Sequence, residues 1–206
     1  MSFDHPITVS TTSSNLLSMV RRHHPEAWQR FVSLYGPLVY GWCRRAGIQA
    51  TDARDITQEV FAKVFTAIDG FRHDRPGDTL RGWLRVICRN QIHSYHRRRG
   101  GAWAAGGTDA KMMLAELAAE AEPADEMTSI TDRQRLVRRA AEAVRSEFEP
   151  QTWQGFWLVV VERLSTAEAA ARLATTAGAV RQSKYMVLRR LREELAGEFS
   201  PEQRKL

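Results

Sequence analysis

Apolar residues recur at three- and four-residue steps along most of the chain, and no stretch alternates apolar and polar in the two-residue step of a strand. Trp28, Phe31, Val32 and Tyr35 set this rhythm. Leu38, Val39, Trp42 and Cys43 resume it after Gly36 and Pro37, which read as a break. Ile56, Val60 and Val64, widened by Phe61, Phe65 and Ile68, form the next stripe, with Thr51 or Asp52 as its cap and Gly70 as its end. Trp83, Leu84, Ile87, Cys88 and Ile92 form another, opened by Thr79 or Asp78. Stripes of this period are buried by packing helix on helix, so the expected fold class is all-α.

The sequence divides into four segments. Residues 1–14 are polar and rich in Ser and Thr and read as loose. Residues 15–99 carry the stripes above. Residues 100–129 run from GGAWAAGG through an alanine- and glutamate-rich stretch to EPADEM, and read as a flexible linker with one short helix around 111–121. Trp103 is its one large aromatic residue. Helical periodicity resumes over 130–206. With 206 residues, 43% of them hydrophobic and 26% charged, the expectation is two small helical domains on a tether.

The net charge is +6, and its distribution is more telling than its size. Residues 72–99 hold eight arginines against two aspartates, and residues 172–192 hold six basic residues and no acidic one. Those segments carry +12, which leaves −6 on the rest. Two concentrated basic segments on a mildly acidic body point to two polyanion contacts. Cys43 and Cys88 are far apart and lack a CxxC partner, so they read as core residues of a reducing compartment. No signal-peptide stretch or membrane span is evident, and the expected location is cytoplasmic.

Between residues 164 and 195 the sequence LSTAEAAARLATTAGAVRQSKYMVLRRLREEL has the cadence of a helix-turn-helix. Ser165 stands three residues before Glu168, the spacing of a capping box. Ala169, Ala170 and Leu173 face inward, a turn falls at Ala174 and Thr175, and Thr176 caps a longer helix on which Val180 packs. Thr176, Arg181, Gln182, Lys184, Tyr185 and Arg189 are its candidate DNA-binding residues; arginine suits guanine, glutamine adenine and lysine phosphate. Arg189, Arg190 and Arg192 read equally as a solvated face paired with Glu193 and Glu194.

Upstream, DARDITQEVF followed by LRGWLRVICRNQIHSYHRRR resembles region two of bacterial sigma factors of the extracytoplasmic-function (ECF) type, and the 164–195 segment resembles their region four. The wording around HHPEAWQRFVSLYGPLVYGWCRRAGI and EFEPQTWQGFWLVVVERLS is similar to a planctomycete-like branch. The resemblance covers residues 16–99 and 132–195. It departs from the family pattern at Ser94, where Asp is frequent, at Ala174, where Gly is usual, and at Ser183 and Met186, where Arg is frequent.

The resemblance implies a non-enzymatic subunit with no catalytic residue, cofactor or metal. Its core-polymerase-binding set is Asp52, Asp55, Ile56, Gln58, Glu59 and Val60, docked on the clamp helices of the largest subunit, with the flap as a further contact. Ile56 or Val60 is expected to supply apolar contact at the patch centre. Its promoter-melting set is Arg72, Arg75, Arg81, Trp83, Arg85, Arg89, Asn90, Tyr95, His96, Arg97, Arg98 and Arg99. Trp83 reads as core more readily than as a stacking platform. The implied partners are core RNA polymerase, promoter DNA, and an anti-sigma factor or a kinase as regulator. Three other readings stay open. One is a free-standing helix-turn-helix regulator. Another is a metal-dependent nuclease or phosphohydrolase with Asp52, Asp55 and Glu59 as ligands, although no catalytic signature accompanies them. The third is a helical adaptor that binds only proteins.

Overall fold

The computed structural model describes residues 16–72, 78–99 and 126–198, and every regular element among them is helical. The N-terminal half comprises α1 (Leu16–Arg21), α2 (Pro25–Arg45), α3 (Ala50–Ala67), a 3-10 turn (Ile68–Gly70) and α4 (Leu80–Arg99). The C-terminal half comprises α5 (Glu126–Arg145), α6 (Pro150–Val160), α7 (Thr166–Arg172), α8 (Ala177–Glu194) and a 3-10 turn (Ala196–Glu198). Helix α5 therefore starts inside the segment expected to be linker. Trp103 lies outside the described residues.

Local chemistry explains most helix ends. Pro25 opens α2 where a missing N–H has no consequence, and Arg44 and Arg45 in its last turn complement the helix dipole. Gly47, at φ 79°, then closes it. The Gly47 N–H donates to the Arg44 carbonyl at 3.1 Å and the Ile48 N–H to Cys43 at 3.2 Å, while Ile48 is buried beneath the turn. Pro37 does not break α2, contrary to expectation. It removes one backbone hydrogen bond, but Phe31, Leu34 and Tyr35 before it and Leu38, Val39 and Trp42 after it share one buried face. Helix α3 likewise starts before the expected caps, at Ala50 with Gln49 as N-cap, which puts Thr51 and Asp52 inside the first turn. At α4, Thr79 Oγ1 accepts the Gly82 N–H at 3.0 Å, as anticipated.

In the C-terminal half the helix-turn-helix forms. Ser165 accepts the Glu168 N–H, and the Glu168 carboxylate accepts the Ser165 N–H at 2.8 Å, a complete capping box. Ala169, Ala170, Leu158 and Val180 close a small core of their own. Gly155 lets α6 cross α8 closely, because a Cβ there would stand 3.1 Å from Ser183 Cβ. The turn is made by Ala174 at φ 50°, with the Thr175 N–H donating to the Ala170 carbonyl at 2.9 Å. A left-handed alanine carries a strain of about 1 kcal/mol that glycine does not. Ala174→Gly is therefore expected to raise stability by up to about 1 kcal/mol, read as a shift in urea midpoint at unchanged slope.

The two halves do not stand apart. One continuous apolar core contains Phe31, Tyr35, Trp42 and Leu80 together with Leu136, Val144, Trp153, Phe156, Val187, Leu191 and Leu195. Helix α5 packs along α2, α8 reaches α1, and the C-terminal 3-10 turn sits on α4. Periodicity marks which face of a helix is apolar; it carries no information on which distant helix covers that face.

Candidate docking and nucleic-acid surfaces

The outward side of α3 is one candidate surface. Asp55 and Gln58 are exposed, and Glu59 is partly exposed. Ile56 and Val60 are not available to a partner: they are 1% and 0% exposed, packed with Val64 in the core. They belong to the inward stripe of the same helix, and one helical residue cannot serve both faces. What lies beside Gln58 is a groove of about 470 Å³ lined by Trp28, Val32, Thr57, Phe61, Ala62 and Phe65. Phe65 is 42% exposed. Gln58, Phe61, Ala62 and Phe65 follow one another at helical spacing, a second and outward stripe that was present in the sequence.

The other acidic residues of α3 are engaged with α4. Tyr95 donates its hydroxyl to Asp52, and Arg98 pairs with Glu59 at 3.3 Å. These contacts border the apolar packing of α3 on α4, through Ile56, Val60, Leu84 and Cys88, that holds the acidic face beside the basic helix. Asp52 is thus half-buried structure at least as much as surface. Among the described residues no group of three or more His, Cys, Asp or Glu side chains is placed to hold a metal ion.

Helix α4 divides its arginines by role. Arg85 lies over the Trp42 ring at 6.0 Å, a cation–π contact. Arg85 and Arg89 border a cavity of about 410 Å³ with Trp42, Arg45, Ile92 and His93. Arg45 and Trp42 come from the end of α2, and no sequence pattern joined them to α4. Arg81 is held instead by Glu198, which accepts its backbone N–H at 2.8 Å. Trp83 packs on Phe71 with ring centres 5.3 Å apart and lies partly buried against the core, the placement expected of a core residue. Asn90 Oδ1 is buried with no hydrogen-bond partner among the described residues. His96, Arg97 and Arg98 are exposed, and Arg97 donates to Ser94 at 3.3 Å. Arg72, exposed, donates to the Asp69 carbonyl at 2.8 Å. Arg75 and the Arg99 side chain lie outside the described residues.

On α8, Arg181, Gln182, Lys184 and Tyr185 are exposed, Tyr185 at 56%. Thr176 is the helix cap, its Oγ1 accepting the Ala179 N–H at 3.1 Å. Arg189 approaches Glu193 to 3.8 Å and Arg190 approaches Glu194 to 3.0 Å, the pairing expected, but Glu194 is buried, so this part of α8 is not a solvated face. The near end presents a turn and a half of polar side chains to solvent.

Under the α2–α4 contact, Cys43 and Cys88 meet at 3.8 Å between sulfurs, both buried. Their hydrogen bond lowers the Cys43 pKa and raises that of Cys88, with burial adding to the rise at Cys88. Carboxylates cluster between the halves, Glu194 buried, Glu198 partly buried and Glu147 exposed. Burial pushes Glu198 above the usual carboxylate value against the pull of Arg81, and burial with Glu198 beside it raises Tyr35. Burial acts to raise Glu147 too, but hydrogen bonds from Arg190 and Arg30 outweigh it and hold the carboxyl below its usual value.

Residues 31–101, which span α3, α4 and most of α2, match the family model for sigma-70 region 2. That stretch is similar to sigma-70 region 2. The ECF RNA polymerase sigma factor SigE of Mycolicibacterium smegmatis is 35% identical over 74 residues, 36% of this chain and 27% of that protein. The chain thus matches little more than a quarter of that relative's length. Among solved structures, a chain of the RsbN–BldN complex is 19% identical with a TM-score of 0.35, over 85% of this chain and 96% of that one. CnrH, solved in complex with the cytosolic domain of CnrY, is 21% identical with a TM-score of 0.36, over 87% and 95%. The region 2 match includes both the outward face of α3 and the basic face of α4. No described helix is long and apolar enough to cross a membrane.

Proposed function

We propose that this protein is an alternative sigma factor of the ECF type. It binds core RNA polymerase through Asp55, Gln58 and Glu59 and the apolar groove beside them, with the clamp helices of the largest subunit as the docking element and the flap as a contact for the C-terminal half. It places α4 on the opened promoter strand and the first turns of α8 in an upstream major groove. It is not an enzyme, works in the cytoplasm, and is controlled by an anti-sigma protein or a kinase. The planctomycete-like wording of α2 and α6 is part of the same reading.

The observation that carries the proposal is the region 2 match over residues 31–101, in which an exposed polar and aromatic face on α3 is packed beside an arginine-lined cavity on α4. Opening a promoter without ATP requires protein contacts that favour an unstacked strand over the duplex. Base stacking and cationic contacts are worth about 1–3 kcal/mol per base, comparable with the few kcal/mol needed to extrude one. Arg85, Arg89 and Arg45 around Trp42 and Ile92 supply charge beside an apolar floor, the composition such a contact needs. The exposed near end of α8 supports duplex reading, with Arg181 and Gln182 suited to base edges.

The test is transcription by purified core polymerase on fragments of the source genome. Discrete promoter-dependent transcripts that appear only when this protein is added are the expected result. A core enzyme whose transcripts are unchanged by the protein would refute the proposal.

A further inference from the structure

We propose that Cys43 and Cys88 form a redox site, a pair of thiols that hydrogen peroxide converts to a disulfide tying α2 to α4. They are the two cysteines of a 206-residue chain, and the fold brings their sulfurs to 3.8 Å across 45 positions. Both are buried, at 0% and 1% exposure, in the seam between α2 and α4. A small apolar filler at either position needs no sulfur, and two fillers do not need their sulfurs in contact. Cys88 also forms part of the wall of the cavity that Trp42, Arg45, Arg85 and Arg89 border. At about 410 Å³ that cavity admits a peroxide molecule, which is little larger than water at about 30 Å³.

Two features favour reaction over inert packing. Three guanidinium groups, of Arg45, Arg85 and Arg89, line the side from which the pair is reached, and a positive surrounding favours thiolate. In the hydrogen bond between the sulfurs the proton stays on Cys88. That bond holds Cys43 below the usual thiol value and, with burial, raises Cys88 above it. Cys43 is therefore the nucleophile and Cys88 the resolving thiol.

The Cys43 thiolate attacks one peroxide oxygen, and the O–O bond breaks. Cys43 becomes a sulfenic acid, and the departing hydroxide takes up the proton that Cys43 lost on ionising. The Cys88 sulfur then attacks the Cys43 sulfur, the S–O bond breaks, and hydroxide leaves with the Cys88 proton as a second water. Two thiols are oxidised to one disulfide while one peroxide is reduced to two waters. The sulfurs close from 3.8 Å to about 2.0 Å by rotation of their side chains. The loop so closed contains all of α3, so the bond holds α2, α3 and α4 together and ties two walls of the cavity.

The test exposes the full-length protein to a small excess of hydrogen peroxide, once under native conditions and once in urea. Size-exclusion chromatography isolates the monomer, and mass spectrometry reads the loss of two hydrogens and the Cys43–Cys88 linked peptide. Urea unfolding followed by circular dichroism compares oxidised and reduced protein, with Cys43→Ala and Cys88→Ala as single controls. The expected result is a linked monomer of native helix content, formed without urea, whose urea midpoint rises by about 1 M or more and returns on treatment with dithiothreitol. The single variants are expected to keep their midpoints through the same treatment. Thiols that stay reduced under native conditions and link only in urea would overturn the proposal and leave an inert core pair. A linked protein with a lowered midpoint, a bond formed between molecules, or oxidation of one sulfur past sulfenic acid without linkage would overturn it too. The comparison of oxidised with reduced wild type stands even if a variant fails to fold.

Discussion

Ile56→Ala is expected to destabilise the N-terminal half by about 2–5 kcal/mol, while Asp55→Ala one residue away changes stability by less than about 0.5 kcal/mol. Ile56 is 1% exposed and belongs to the largest fully buried side chains, in the stripe with Val60 and Val64. Truncating it removes buried apolar atoms and leaves a cavity that a close-packed helix interface relaxes into only partly. A domain of this kind holds only about 5–15 kcal/mol in total, so the loss is a large fraction. Urea unfolding followed by circular dichroism reads the difference directly. A neutral Ile56→Ala would mean that the α3 stripe faces solvent, and the assignment of Ile56 to the core would be wrong. The same experiment guards the functional work, since loss of polymerase binding in an Ile56 variant would report unfolding and not docking.

The paired change Arg85→Ala and Arg89→Ala is expected to weaken binding to forked DNA about tenfold or more at low salt, and to flatten its salt dependence. Each phosphate contact on duplex contributes about 0.9 to the slope of log affinity against log salt, and about 0.7 on a single strand. Losing two contacts shrinks the fall in affinity between about 50 and about 200 mM salt by roughly tenfold on duplex and somewhat less on a single strand. The folded state should survive, because the cation–π contact of Arg85 over Trp42 is worth only about 0.5–1 kcal/mol. Anisotropy titrations at four salt concentrations provide the check. An unchanged slope would remove these arginines from the nucleic-acid surface.

Local chemistry was legible in the sequence. The Ser165 to Glu168 capping box, the Thr176 and Thr79 caps and the apolar stripes of α3 and α4 are encoded within a few residues, and they form. Where sequence reasoning failed, non-local packing decided the outcome. Pro37 sits in an unbroken α2 because the buried face continues on both sides of it. Ile56 and Val60 were placed on a docking face although their own spacing assigns them to the opposite one. The aromatic neighbours of Gln58 were visible as apolar residues, but only the packing of α2 on α3 shows Trp28 and Phe65 bordering a groove. The meeting of Cys43 with Cys88, and of Arg30 with Glu194 across 164 positions, has no local signature at all.

The most direct test of the sigma-factor account is the affinity of purified core RNA polymerase for the intact protein and for the double variant Gln58→Ala, Glu59→Ala. These residues lie on the outward side of α3, and Glu59 has only an exposed pairing with Arg98 to lose, so the fold is expected to persist. The account predicts tight binding by the intact protein, and a loss of about 10- to 1,000-fold in the double variant if the pair includes a binding hot spot. No binding by the intact protein, with DNA binding retained, would contradict the account and leave a free-standing DNA-binding protein in its place.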